Sequence, residues 1–149
     1  MELTTLLQGA SAFTGAGAGV AFLLGRVLFG LVVAYMGLGH FQALDNYAGY
    51  AEAKGVPAPR LSAAFSGGML AFGGLGIVLG VLPVLASGAV ALFMLVSAVM
   101  IHDFWAVPDD QKQDQMTQFQ KNVIILGAAL VFLSLANTTW PYALNISVL

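Results

Sequence analysis

The sequence predicts an all-α integral membrane four-helix bundle, and three observations carry that prediction. Of 149 residues, 59% are hydrophobic and 8% charged, whereas roughly a quarter of a soluble domain is charged. Apolar stretches long enough to cross the ~30 Å hydrocarbon core, which takes ~20 helical residues, occur four times. Those stretches lack the polar and apolar alternation of a barrel strand and are rich in Ala, Leu and Gly.

Residues 1–18, MELTTLLQGASAFTGAGA, form a lead-in. Having no basic n-region, they do not read as a secretory signal peptide. The GAGAG at 15–19 follows no strand, so it reads as flexible chain rather than a phosphate cradle. The first span covers residues 19–40 and is apolar apart from Arg26 and His40 at its end. From Leu61 to Ile101 no side chain is ionisable, over about twice the length of one span. VLPVLASG interrupts that run, and Pro83 and Gly88 there predict a tight connection between helices at 61–82 and 84–101. The fourth span is expected at 122–140, closed by NTTWPY, with Trp140 and Tyr142 at the membrane–water interface and 141–149 as a tail. In the second span Gly73, Gly76 and Gly80 line one face, and the expected use of that face is close helix packing inside the bundle.

Two polar connections remain, residues 41–60 and 102–121. They are separated by two spans and so share one side of the membrane. Lys54, Arg60, Lys112 and Lys121 lie in them, while the other connection and both ends carry no Lys or Arg. The positive-inside rule then puts both loops in the cytoplasm and both termini outside. A net charge of −2 argues against nucleic acid, which needs clustered Lys and Arg. With no cysteine, a redox role would need a bound organic cofactor, a haem or a partner subunit.

The charge-free run ends at MIHDFW, residues 100–105, where His102 and Asp103 leave the hydrocarbon at a depth matching His40. Arg60, Lys121 and Asn122 belong to the same face, which reads either as an ordinary interfacial ring of polar groups or as a ligand site. As a site, His40, His102 and Asp103 are the candidate catalytic residues. Imidazole titrates near physiological pH and can relay a proton to a quinone head group, and Asp103 can pass protons to water. Trp105 and Asn122 are candidate cofactor contacts beside them, and Arg26 is a third, at the opposite end of the first span, where it would hold an anion or semiquinone if a second site exists. Haem ligation by the two histidines is disfavoured, and no metal site is predicted. Arg26 lies about seven residues into the first span, where a charge costs on the order of 3 kcal/mol unless it snorkels or is partnered. Snorkelling is the expected outcome. The other partners open to it are backbone carbonyls, the hydroxyls of Ser87, Thr138 or Thr139, lipid phosphate, or an anionic ligand. On a helical wheel Arg26, Gly30, Val33, Gly37 and His40 share one face, with Arg26 and His40 ~21 Å apart along it.

The chain resembles the DoxX family of small four-helix membrane proteins over roughly residues 22–133. The resemblance rests on the order and spacing of GRVLFGLVVAYMGLGHF, AKGVPAP, SGGMLAFGGLGIVLGV, MIHDFW and FQKNVIILGAAL. It implies a membrane bundle, and some relatives are subunits of thiosulfate:quinone oxidoreductases that pass electrons to membrane quinone. Relatives often carry an acidic residue early in the second span, where this chain reads FSGGMLAF, and His40 stands where a lysine is common. The expected function is a redox-associated subunit near the quinone pool, in contact with the bilayer and with membrane or redox partner subunits. The alternative is a non-catalytic scaffold whose glycine faces pack against other subunits or a second copy. A transporter is less supported, since paired broken helices with a midplane polar site are missing.

Overall fold

The structure is a computed structural model that describes residues 12–148. Residues 1–11 of the lead-in, and Leu149, lie outside the described residues. Among the described residues five α-helices follow in order: α1 (Ala18–Gln42), α2 (Leu44–Ala53), α3 (Pro59–Leu79), α4 (Pro83–Val96) and α5 (Asp109–Ser134). A π-helical turn, Ser97–Ile101, prolongs α4, and a 3-10 turn, Phe104–Ala106, precedes α5. The four long helices are apolar enough to cross a membrane, counting α4 with its extension to Ala106.

Glycine sets the spacing of α1 against α3. A Cβ on Gly37 would stand 2.6 Å from the Gly67 carbonyl oxygen, and one on Gly30 would stand 2.5 Å from that of Gly74. Backbone therefore meets backbone along this seam, which in lipid, where apolar burial between helices gains little, supplies the dispersion contact that holds helices together. The predicted wheel face holds: Arg26, Gly30, Val33, Gly37 and His40 are buried, joined by Ala34. Gly73 and Gly76 also pack within the chain, since Cβ atoms there would meet Val90 Cγ2 at 2.8 Å and Ala86 Cβ at 2.7 Å on α4. The core between the helices is built on Val33, Leu70, Ile77, Val90, Met94 and Ala129.

Three expectations about helix ends and their surroundings are corrected. The α3–α4 connection is Gly80–Leu82, with Gly80 (φ 67°) ending α3 and Pro83 already the first residue of α4. Gly80 is thus a left-handed helix stop rather than a continuation of the glycine face, and Gly88 lies inside α4. The fourth long helix begins at Asp109, well before Asn122, and ends at Ser134. Asp109 and Asp110 favour the helix N-terminus electrostatically, so the polar residues read as loop form the first turns of α5. Because α5 stops early, the chain turns back and buries Trp140, which is 1% exposed, rather than leaving it at the interface. Its indole N–H donates to the Leu135 carbonyl (2.8 Å), and its ring packs near Phe22 and Phe132. Tyr142 remains exposed. The tail then crosses the α3–α4 turn, with Leu82 N–H donating to Ile146 O (2.7 Å) and Ile146 N–H to Gly80 O (3.1 Å).

The connection after α1, expected as a loop, contains α2. Its Tyr47 and Tyr50 are one helical turn apart and form part of the site.

Candidate functional site

The ends of α1 and α4, the start of α3 and one side of α2 surround one cavity of about 440 Å³. That size lies within the ~300–1,000 Å³ of small-molecule sites. His40 and His102, far apart in sequence, both line it. The π turn positions the second of them: His102 N–H bonds to the Ser97 carbonyl at 3.1 Å, five residues back, and Ser97, Met100 and Ile101 line the same cavity. Such single π turns are frequent at functional sites.

His40 is buried and tightly held. Its Nδ1 lies 2.9 Å from Ser66 Oγ and 3.2 Å from the Ala63 carbonyl oxygen on α3. Tyr47 stacks on the ring with centroids 4.0 Å apart, and Phe93 meets it edge-on at 5.8 Å. His102 Nδ1 lies 3.0 Å from Gln115 Oε1, and Gln115 Nε2 donates to the Tyr50 hydroxyl at 3.0 Å, so the Gln115 amide of α5 links α2 to the imidazole that follows the π turn.

The remaining candidates divide. Asp103 does not line the cavity; it pairs with Lys54, both mostly shielded from solvent, and ties the 3-10 turn to the end of α2. Asn122 is buried behind the cavity wall, donating to Ser97 Oγ at 3.0 Å. Trp105 stands outside, half-exposed, in an aromatic group with Phe104 and Phe119.

Arg26 belongs to the opposite end, and it does not snorkel. It is 1% exposed, donating through Nη1 to Val78 O at 2.6 Å and through Nη2 to Pro141 O at 3.1 Å and to Tyr142 O. Backbone carbonyls at the C-terminal end of α3, where the helix dipole is negative, and in the tail take the place of the missing carboxylate. The arrangement explains the burial of the charge by structure: Arg26 ties the tail to the bundle.

Sequence reasoning missed Tyr47, Tyr50, Ser66, Phe93 and Gln115. The two tyrosines carried a signal in their one-turn spacing within LDNYAGYAEA; the other three carried none, because a lone Ser, Phe or Gln says nothing of which helix faces it.

The cavity opens sideways as well as toward the polar end. Phe65 of α3 and Leu92, Val96 and Met100 of α4 line it while remaining largely exposed on the apolar flank. Below it a second groove of about 490 Å³ runs between α3 and α4, lined by apolar residues and two glycines. Met69 lines both, so the groove between α3 and α4 adjoins the cavity of the histidines at that side chain. Among the described residues no three His, Cys, Asp or Glu side chains converge as a metal site requires.

Four apolar helices, a lateral groove and polar groups gathered at one end define a multi-pass membrane protein with a ligand-sized cavity at one membrane face. The DoxX family model matches residues 21–103, more than half of the chain, and the protein belongs to that family. The matched segment runs from the fourth residue of α1 through α4 and includes both histidines. No curated protein and no solved structure matches the chain.

Proposed function

We propose that this protein is a redox-associated membrane subunit that binds the head group of a lipid-soluble quinone in the cavity lined by His40 and His102. The observation that carries the reading is a largely apolar cavity that bears two imidazoles and adjoins, at Met69, an apolar groove on the flank of α3 and α4. Together they match a molecule with a hydrogen-bonding ring and a long apolar tail. The head lies between His40, His102 and the two tyrosines, and the tail follows the α3–α4 groove past Met69. Electrons come from or pass to a partner subunit, since this chain has no cysteine to hold an iron–sulfur cluster. Its own residues bind and orient the ring and handle protons at the imidazoles. The Lys54–Asp103 pair lies beside the site, mostly shielded from solvent, on the face that the Lys and Arg distribution predicts for the cytoplasm.

Gly67, Gly73, Gly74 and Gly76 all meet atoms of the same chain at distances that leave no room for a Cβ. The scaffold reading would have to use other glycines, such as Gly25, Gly68, Gly88 and Gly127, which have nothing within 4 Å.

The test is a photoreactive short-chain quinone applied to the protein in lipid nanodiscs, with the labelled peptides identified by mass spectrometry. Labelling is expected on the segments bearing Tyr47, Tyr50, Met69 and Met100. It should fall several-fold in His102→Ala and be displaced by unlabelled quinone. Label scattered over the lipid-facing surface, and indifferent to both competitor and His102→Ala, removes the proposal.

A further inference from the structure

We infer that the His40 end of the cavity is an acceptor site, so that within the ligand class proposed above it takes the hydroxyl-bearing hydroquinone in preference to the dicarbonyl quinone. The inference rests on the quinone-site reading and adds which redox form the protein holds.

The argument comes from the partners of one nitrogen. A backbone carbonyl only accepts hydrogen bonds, and the Ala63 carbonyl oxygen lies 3.2 Å from His40 Nδ1. Ser66 Oγ, 2.9 Å from the same nitrogen, donates its own hydrogen to that same carbonyl at 2.9 Å, so it turns a lone pair toward the ring. Two acceptors converging on Nδ1 require the hydrogen to be there. The neutral ring then carries its lone pair on Nε2, and Nε2 has no hydrogen-bond partner among the described residues. No Asp or Glu lines the cavity to favour a doubly protonated imidazolium. His102 repeats the pattern, its Nδ1 facing Gln115 Oε1 while the amide nitrogen is directed to Tyr50.

The consequence is chemical. A quinone oxygen approaching His40 Nε2 sets lone pair against lone pair in a largely apolar cavity. A ring hydroxyl at the same place donates its hydrogen to Nε2. Tyr47 stacked on the imidazole and Phe93 at its edge keep the ring from rotating to offer its other nitrogen.

The test compares a decyl-tailed benzoquinone, its reduced hydroquinone and the dimethyl ether of that hydroquinone. Each is titrated anaerobically against the full chain in nanodiscs by displacement of the photoreactive quinone. The hydroquinone is expected to bind about tenfold tighter than the quinone, equivalent to about 1.4 kcal/mol, and the ether, which has no hydrogen to donate, to bind like the quinone. His40→Leu should erase the difference while both forms still bind. Should that variant fail to fold, ¹⁵N-histidine spectra of the wild type give the same answer, with a protonated Nδ1 and a bare Nε2 whose signal moves when hydroquinone is added. Equal or tighter quinone binding, or a His40 protonated at Nε2 in the empty protein, overturns the inference and leaves the quinone site standing. Failure of all three compounds to displace the probe overturns the site itself.

Discussion

Replacing Arg26 by leucine tests how the closed end of the bundle is held. The substitution keeps a long apolar stem and removes all donors, leaving the carbonyls of Val78, Pro141 and Tyr142 without the hydrogen bonds they now accept. Hydrogen bonds from a charged donor contribute ~1.5–3 kcal/mol each, so three amount to roughly 5–9 kcal/mol before any offset. Against this, the variant no longer buries a guanidinium whose Nε has no partner. A net loss of about 3–5 kcal/mol is expected, the range found when one side of a buried charged contact is removed. The loss should concentrate where the contacts are: protease should cut the tail between residues 141 and 148 at concentrations that spare the wild type, and the detergent melting temperature should fall. Arg26→Lys keeps the charge but cannot fork across three carbonyls, and it should fall between the two. An Arg26→Leu protein that melts with the wild type and keeps its tail protected would show that the carbonyl clamp contributes nothing and that the arginine's charge is satisfied by water.

Two further outcomes follow from the packing and the topology. Gly37→Val drives a side chain into the Gly67 carbonyl and the Ala71 backbone, which cannot swing aside; an overpacking cost of about 1–3 kcal/mol or more should appear as a lower melting temperature, whereas Gly25→Val, with nothing within 4 Å, should leave it unchanged. In this cysteine-free chain, single cysteines at Gln42 and Ala106 should react with a membrane-impermeant maleimide from the same side and one at Val148 from the other; opposite labelling of 42 and 106 refutes the shared polar end.

How much was legible in the sequence depends on which force acted at each position. The hydrocarbon core sorts residues by transfer energy alone, so the four apolar stretches could be read without knowing the neighbours. The buried stripe of α1 from Arg26 to His40 was legible because helical period is a local property. Helix ends were harder. Gly80 fits a glycine face and a helix stop equally well, and only its positive φ, imposed by the turn, decides. The early start of α5 was hidden because DDQKQDQMTQFQK has no apolar period to reveal a helix that stands in water. Trp140 was misplaced for a related reason: an indole near a span's end ordinarily anchors at the interface, and only the reversal of the chain after Ser134 carries it into the core. Within the site, both histidines could be assigned to one face from topology. That they share a cavity depends on the π turn and on α2, neither of which hydropathy records.

The two ends of the bundle are built on opposite principles, and the contrast bears on how a ligand reaches the histidines. At the tail end most polar groups are partnered within the chain, Arg26 by three carbonyls, the α3–α4 turn by the tail and Trp140 by Leu135, leaving Arg26 Nε and Ser87 Oγ without a partner among the described residues. At the other end each imidazole has one nitrogen bound and one without a partner among the described residues. The glycine seam between α1 and α3 permits no separation without giving up close backbone contact, so the cavity cannot open along that side. The α3–α4 side is different. Gly73 and Gly76 bring the helices together over a short stretch against Ala86 and Val90, and on the flank beside it Phe65, Phe72, Leu85 and Leu92 project into the surroundings. These side chains can change rotamer in fluid hydrocarbon without leaving any polar group unpaired. Access from within the bilayer therefore requires side-chain motion alone, whereas access through the polar end must pass α2 and the Lys54–Asp103 pair. A rigid seam behind the site and a compliant apolar flank before it favour a ligand that is already dissolved in the membrane.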